Sequence, residues 1–315
     1  MKLIISLILL FSLNTLAKDI TPYKYVKASE AVSDFVKVDN ILVIGTEEGI
    51  IDIYDLNKDK LVDKIMLSKH KNILGDNIRS LIVSVDYLKE KIIFATRLLS
   101  TWREFYIYEN KKLTKLIDES KHMAIQKVKF IDEQTVLIST MDNAFMLYDL
   151  KTKKILYKKQ LNLASFSDYA LSEDKKYFFT ADETPQISKI EVKTGKTIAV
   201  YNDANKRDIF SVDYKNKTLI SGGKDKRVIL YKSPLSYKMT KGGFFIYAVA
   251  LNPDASKAAF VKNEDSEISI IDTTTLRELY LLKGHKQTII DINFYEKDKL
   301  ISSDEANQLF FWKLQ

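Results

Sequence analysis

The chain has no cysteine among its 315 residues, and it has few prolines, glycines, histidines and tryptophans. Without cysteine, the protein forms no disulfide, holds no thiolate-bound metal, has no cysteine nucleophile and carries no lipoprotein anchor. Only three histidines are present, His70, His122 and His285, which restricts metal and acid–base chemistry from the start. These absences exclude whole classes of disulfide-rich proteins and cysteine-dependent enzymes.

The surroundings of the histidines argue against a metal site. His70 lies between Lys69 and Lys71, and His122 follows Lys121, so that neighbouring cations oppose metal binding. No His-x-x-x-His spacing occurs, and no Gly-x-Ser-x-Gly motif of a nucleophilic serine is present. We therefore expect no metal, no cofactor and no catalytic residues.

The formal charge of +7 arises from 49 Lys and Arg residues against 42 Asp and Glu residues. The lysines are dispersed along the chain, which is typical of a solvated surface that protects exposed strand edges. No cationic arm and no nucleic-acid-binding motif is present, so we expect no nucleic-acid partner.

Residues 1–17 have the pattern of a secretory signal peptide. An apolar stretch from Leu3 to Leu13 follows the positive Lys2, and Thr15-Leu16-Ala17 offers small residues to a signal peptidase. We expect cleavage after Ala17, a periplasmic location and no membrane insertion of the mature chain, residues 18–315. An uncleaved anchor is the alternative, although the apolar stretch is short for a membrane span.

Short apolar strands that end in an aromatic or aliphatic residue, usually followed by an acid, recur along the chain. Their central residues are Tyr54, Tyr108, Tyr148, Ile190, Tyr231, Ile271 and Trp312. After the longer first interval the spacing is about 41 residues, which with several strands per unit is the mark of a β-propeller. The predicted fold is all-β, with seven blades of four antiparallel strands in one domain, residues 18–315.

The last unit ends with its third strand, at Phe310 to Leu314, and therefore lacks an outer strand. The segment Thr21 to Lys27 can supply it. Pairing strands from the two termini would remove an open sheet edge, so we expect the ring to close in this way.

The units resemble WD repeats over essentially the whole predicted domain. The last unit has the Gly284-His285 pair, with Trp312 in its third strand. The resemblance implies a structural set of hydrogen bonds among Asp, His, Ser and Trp. Ser302 fits this set, but Ala306 stands where the turn acid is expected, six positions before Trp312. We therefore expect an incomplete set in this unit.

A closer resemblance is to the WD-repeat accessory proteins encoded beside the periplasmic nitrate reductase of epsilonproteobacteria. It rests on the secreted, cysteine-free, Lys- and Ile-rich character of the chain, on the segment Phe245 to Pro253, and on the ending from Lys283 to Trp312. The resemblance implies an accessory role and a protein partner in the periplasm.

The second unit is longer than the others. The extra residues fall in the connection Met66 to Ile78 and in the connection Arg97 to Arg103, which emerge on the same face of a propeller. Long loops on a rigid scaffold often bind partners, and tryptophan and arginine are common interface anchors. We therefore predict a partner site at Trp102, Arg103, Arg97, His70 and Lys71. The alternative is that Trp102 folds back to cap its own blade.

The sequence favours a non-enzymatic, periplasmic scaffold that binds another protein. Two alternatives remain open at this point. One is a propeller enzyme, a hydrolase or lyase, with its site at the mouth of the channel. The other is an envelope-assembly factor.

Overall fold

A computed structural model describes residues 17–72, 74–98 and 100–314. Nearly all of the described secondary structure is β-strand, with one short 3-10 turn at Glu119–Lys121. The strands form seven four-stranded antiparallel sheets arranged as the blades of a ring, which confirms the predicted seven-bladed propeller. The predicted signal peptide lies outside the described residues, apart from its last residue, Ala17.

Within each blade, the four strands a to d run from the central channel outwards. Their bounds in the first four blades are β3 (Val32–Val38), β4 (Ile41–Thr46), β5 (Ile50–Asp55) and β6 (Lys60–Met66); β9 (Leu81–Leu88), β10 (Lys91–Arg97), β11 (Arg103–Glu109) and β12 (Lys112–Ile117); β13 (Ile125–Phe130), β14 (Thr135–Thr140), β15 (Ala144–Asp149) and β16 (Lys154–Gln160); and β17 (Phe166–Leu171), β18 (Tyr177–Asp182), β19 (Ile187–Glu191) and β20 (Thr197–Tyr201).

The last three blades follow the same order. Their strands are β21 (Ile209–Lys215), β22 (Thr218–Gly223), β23 (Arg227–Ser233) and β24 (Ser236–Lys241); β25 (Val249–Leu251), β26 (Lys257–Val261), β27 (Ile268–Asp272) and β28 (Glu278–Leu282); and β29 (Ile289–Glu296), β30 (Lys299–Asp304), β31 (Gln308–Lys313) and the N-terminal strand β2 (Lys24–Lys27). Blade 6 also carries β1 (Lys18–Ile20), and a two-stranded hairpin of β7 (His70–Lys71) and β8 (Asn77–Ile78) lies between blades 1 and 2.

The N-terminal segment closes the ring, as predicted. Strand β2 pairs antiparallel with β31, so that Tyr25 lies opposite Phe310 and Val26 opposite Leu309. Val26 is 2% exposed and packs in the core between blades 7 and 1. Strand β1, which the sequence did not predict, pairs in parallel with β28 and adds a fifth strand to blade 6. One short segment therefore fastens two neighbouring blades.

The hydrophobic core lies between the blades rather than at the centre of the ring. One cluster of buried residues fills each junction between neighbouring blades; that between blades 1 and 2, for example, contains Val43, Ile51, Ile82 and Phe94. Large side chains such as Phe145 and Phe178 fill the junction between blades 3 and 4. Because each sheet buries both faces in this way, the blades are held in fixed positions around the channel.

The expectation of an incomplete Asp–His–Ser–Trp set in the last unit is wrong. His285 Nδ1 lies 2.8 Å from Asp304 Oδ2, and His285 Nε2 lies 2.6 Å from Ser302 Oγ. The indole N–H of Trp312 donates to the same Ser302 oxygen at 2.7 Å. The imidazole therefore bridges the serine hydroxyl and the carboxylate, and the serine oxygen also accepts the indole N–H, so that the four side chains form one connected set. Asp304, two residues before Ala306, supplies the acid from the end of β30.

Candidate functional site

The b–c and d–a connections of every blade emerge on one face, which we call the upper face. Trp102 lies on this face in the b–c connection of blade 2 and is 41% exposed. Its ring packs against the imidazole of His122, in the next d–a connection, with centroids 5.2 Å apart. The indole thus rests on a neighbouring connection, and a large part of it remains open to solvent.

The other residues predicted around Trp102 divide into exposed and buried ones. Arg97 ends β10 and is exposed. His70 and Lys71 form β7 and are both exposed. The hairpin that they begin is ordered by Asn72, whose side-chain oxygen accepts the N–H groups of Leu74 and Asp76 at 2.9 Å each. Four of the five predicted residues therefore lie at the surface of the upper face.

Arg103 is the exception, because the structure buries this predicted partner-site residue. It begins β11, opposite Arg97, and is 2% exposed. Its guanidinium donates to the carbonyl of Ile125 at 2.8 Å and to the side-chain oxygen of Gln126 in blade 3, and to Met141 Sδ at 2.9 Å. Burial, together with the nearby Arg97, lowers the pKa of Arg103 to about 10. Arg103 therefore joins two blades instead of facing a partner.

The upper face exposes large apolar side chains in blades 1 to 4. They are Leu74 at 83%, Trp102 at 41%, Met141 at 40% and Leu163 at 97% exposed. Hydrogen bonds link the segments that carry three of them. Arg103, which follows Trp102, donates to Met141 Sδ, and the carbonyl of Met141 accepts the N–H of Phe166, which follows the connection that holds Leu163. We call Leu74, Trp102, Met141 and Leu163 the apolar patch. Sequence reasoning missed Met141 and Leu163, because single apolar residues in loops carry no periodic signal.

A second group of aromatic rings lies at one side of the channel opening, at blades 5 and 6. Phe210 stacks on Tyr247 at 5.4 Å, Phe244 stacks on Phe245 at 4.9 Å, and the two pairs meet edge to face. All four rings are partly exposed. We call them the mouth cluster.

Local sequence explains why these rings point outward. Ile246, between Phe245 and Tyr247, is fully buried, and its backbone N–H donates to Gly223 O at 3.1 Å. A Cβ on Gly222 would lie 2.3 Å from the Ile246 side chain, so glycine is needed for this close approach. With Ile246 anchored inward, its two aromatic neighbours are directed to the surface.

The mouth cluster opens onto a cavity in the channel. An outer space of about 450 Å³ is lined by Phe210, Tyr247, Ile290 and Glu305. An inner space of about 270 Å³ shares Phe210, Tyr247 and Ile290 with it and reaches the carboxylates of the innermost strands. The two spaces are therefore neighbours, and the carboxylates of the innermost strands line the inner one.

The charged side chains of the channel form two layers. The upper layer, closer to the mouth cluster, contains Asp34, Lys127, Asp168 and Asp291. The lower layer contains Asp86, Lys129, Asp213 and Lys215. In the lower layer two ammonium groups match two carboxylates, with Lys215 Nζ 3.3 Å from Asp213 and Lys129 Nζ 3.8 Å from Asp86. In the upper layer one ammonium group faces three carboxylates.

Most of these carboxylates also hold the blades together. Asp34 Oδ2 accepts the N–H of Val85 in the next blade at 2.7 Å, and Asp168 accepts that of Val212 at 3.1 Å. Within the described residues, Asp291 accepts one hydrogen bond, from the N–H of its own neighbour Ile292 at 2.7 Å. Asp291 is thus the upper-layer carboxylate that accepts the fewest hydrogen bonds from the described chain and bonds no neighbouring blade.

The electrostatics of the upper layer follow from this imbalance. Burial, reinforced by the charges of Asp34 and Asp168, raises the pKa of Asp291 to about 7, although Lys127 and Lys129 oppose the rise. Burial lowers the pKa of the Lys127 ammonium group, whereas the ion pair with Asp168, at 2.5 Å, raises it. The net shift of this pKa is upward. The layer thus holds three carboxyl groups and one ammonium group, and Lys129 of the lower layer is a further cation that acts on Asp291.

The histidines lie away from this cavity. His285 is buried in its structural set, and His70 and His122 are exposed on the upper face. Among the described residues, no group of three or more His, Asp or Glu side chains has the arrangement of a metal site. In the same part of the chain, no helix has the length and apolar character needed to cross a membrane.

A scan against protein-family models found no match, and a search of the curated proteins found none either. The seven-bladed arrangement is consistent with a WD-repeat family.

Proposed function

We propose that the protein is a secreted, non-enzymatic scaffold that binds a protein partner through its upper face. The observation that carries this proposal is the apolar patch, whose four large side chains lie exposed on one face of the ring. Single exposed apolar residues are common on protein surfaces, but four large ones on one face of the ring, three of them on hydrogen-bonded segments, favour an interaction site there.

The rigidity of the scaffold supports the same role. Arg103 holds Met141 from below by a hydrogen bond of 2.9 Å, and Trp102 rests on His122. Side chains that are already ordered lose little conformational entropy on binding, so they contribute more of their contact energy to affinity. An exposed tryptophan held in place is the kind of residue that dominates interface energetics.

The location and the partner follow from the sequence. The signal-peptide pattern of residues 1–17 supports a periplasmic protein, and the resemblance to nitrate reductase accessory proteins supports a role beside that enzyme. The alternative partner is a protein of an envelope-assembly complex, which would be bound in the same way. In each case the mechanism is rigid presentation of the upper face.

A propeller enzyme remains the second candidate, because of Asp291. A carboxyl group with a pKa of about 7 in an open cavity has the property that a general acid or base needs. Against this role, no histidine lines the cavity among the described residues, and Lys127 is held in an ion pair with Asp168. The binding role therefore has the stronger support.

Site-specific photo-crosslinking tests the proposal. Benzoylphenylalanine would replace Leu163 on the upper face or, as the matched control, Leu235, which is 84% exposed in the c–d turn of blade 5 on the opposite face. In cells that make the protein, we expect a discrete adduct with one other polypeptide from position 163 and none from position 235. Equal adducts from both positions, or none from position 163, would contradict a docking role for the upper face.

A further inference from the structure

We propose that the channel mouth is a receptor site for a basic side chain, arginine or lysine, projected by the partner polypeptide. This inference rests on the proposed function and names the chemistry of its recognition. It draws on three features of the described chain: a cavity, the mouth cluster, and three carboxyl groups that face a single ammonium group in the upper layer.

The cavity has room for one extended side chain. An outer space of about 450 Å³ and an inner space of about 270 Å³ share Phe210, Tyr247 and Ile290. The apolar patch lies on the same face in blades 1 to 4, so a partner bound there can reach the mouth with a projecting segment. A side chain that enters from this partner would pass Phe210 and Tyr247 before it reaches the carboxylates.

The aromatic rings suit both the methylene chain and the charged end of a lysine or arginine side chain. The methylenes of lysine or arginine pack on apolar surface while the charged end reaches a polar group. The faces of Tyr and Phe rings attract cations, with a stronger preference for the flat guanidinium group. The exposed parts of Phe244 and Phe245 extend this surface at the rim of the opening.

Charge complementarity selects a cation over other occupants. Asp34, Asp168 and Asp291 line the inner space with Lys127 as their only ammonium group in the layer, and Lys127 is paired with Asp168. An anionic or neutral side chain would leave the remaining carboxylates unpaired. A guanidinium or ammonium group would neutralise one of them, and Asp291 is the one that accepts least from the protein itself.

Proton linkage gives the site a recognisable signature. Asp291 is surrounded by Asp34 and Asp168, which favour its protonated form, and by Lys127 and Lys129, which oppose it. A bound cation stabilises the ionised carboxylate, so binding releases a proton when Asp291 is protonated beforehand. The affinity for the cation should therefore rise as the pH rises through 7.

Small arginine derivatives provide a direct probe. We would titrate the protein with acetyl-arginine methylamide and with its neutral analogue acetyl-citrulline methylamide, and follow the side-chain carboxyl carbons by NMR. We expect saturable binding of the arginine compound with a dissociation constant on the order of 1 mM, and at least about tenfold weaker binding of the citrulline compound. The affinity for the arginine compound should be several-fold higher at pH 8 than at pH 6.

Two matched variants localise the effect. Asp291→Asn keeps an oxygen for the N–H of Ile292 and removes the charge, and it should weaken binding of the arginine compound about tenfold. Asp142→Asn removes the same charge from an exposed turn of the upper face and should leave binding unchanged. Equal binding of the arginine and citrulline compounds, or an equal effect of the two variants, would overturn the inference.

Photo-crosslinking separates this inference from the proposed function. In the Asp291→Asn background, the adduct formed from position 163 should fall in yield. If the adduct forms and keeps its yield, the upper face binds a partner but the channel does not take part, and the inference fails alone. If the arginine compound binds and no adduct forms, the channel binds a cation but no partner polypeptide supplies it. The inference and the proposed function then fail together.

Discussion

Replacing Asp291 with Asn should stabilise the protein at alkaline pH and have much less effect at acidic pH. In an unfolded chain an Asp has a pKa near 3.9, whereas in the folded channel the pKa of Asp291 is about 7. The folded state therefore binds more protons than the unfolded state between these values, so the free energy of unfolding falls as the pH rises from about 4 to 7. Below pH 4 the group is protonated in both states, and its contribution no longer changes with pH.

The magnitude follows from the size of the shift. Three pKa units correspond to about 4 kcal/mol at most. Because Asp291 is only partly buried and lines an open cavity, solvent screening reduces this figure to about 2 kcal/mol. We therefore expect Asp291→Asn to raise the free energy of unfolding by about 2 kcal/mol at pH 8 and by less than about 0.5 kcal/mol at pH 4.

Urea unfolding at both pH values, with Asp142→Asn as the control, measures this difference. The control should show the same small effect at each pH, because Asp142 is exposed. A stabilisation by Asp291→Asn that does not depend on pH, or a loss of stability at pH 8, would refute the account of the channel charges.

Two further predictions concern stability. Arg103→Ala should lower the free energy of unfolding by about 3 kcal/mol, because it leaves the carbonyl of Ile125 and the side-chain oxygen of Gln126 without their donor. The control Arg97→Ala should change the free energy of unfolding by less than about 0.5 kcal/mol. Equal losses for the two variants in urea unfolding would contradict the buried position of Arg103. Deletion of residues 18–27 should lower the free energy of unfolding by at least about 4 kcal/mol, because it exposes Leu309 and Phe311 along β31. Deletion of residues 18–20 alone should lower it by about 1 kcal/mol. An unchanged melting temperature after the longer deletion would contradict closure of the ring by β2.

The repeat made the architecture predictable. Each blade ends its third strand with a bulky residue, such as Tyr148 or Trp312, because that residue packs in the junction with a neighbouring blade. The closing strand was also predictable, since a unit that ends at its third strand must find a fourth. Strand β1 was not, because Lys18–Ile20 is three residues long and its pairing with β28 depends on where β2 is fixed.

The site was less predictable, for physical reasons that differ from residue to residue. Arg103 carries a charge that usually marks an exposed position, and only the fold brings the carbonyl of Ile125 and Met141 Sδ to it. Asp304 was overlooked because the acid that bonds His285 lies at the end of β30 instead of at the expected turn position. The channel charges did carry a signal: Asp34, Asp168 and Asp291 occupy equivalent positions in β3, β17 and β29, which an alignment of the units against one another would reveal.

The most direct test of the account is the affinity of the partner for three single variants. Trp102→Ala and Leu163→Ala lie in the apolar patch, and Leu235→Ala lies on the opposite face with similar exposure to Leu163. With the crosslinked partner purified, we expect Trp102→Ala to weaken binding by about 2 kcal/mol and Leu163→Ala by about 1 kcal/mol, with melting temperatures unchanged. Leu235→Ala should bind as the unaltered protein does. Full affinity in both upper-face variants, or a loss confined to Leu235→Ala, would contradict the claim that the upper face is the docking surface.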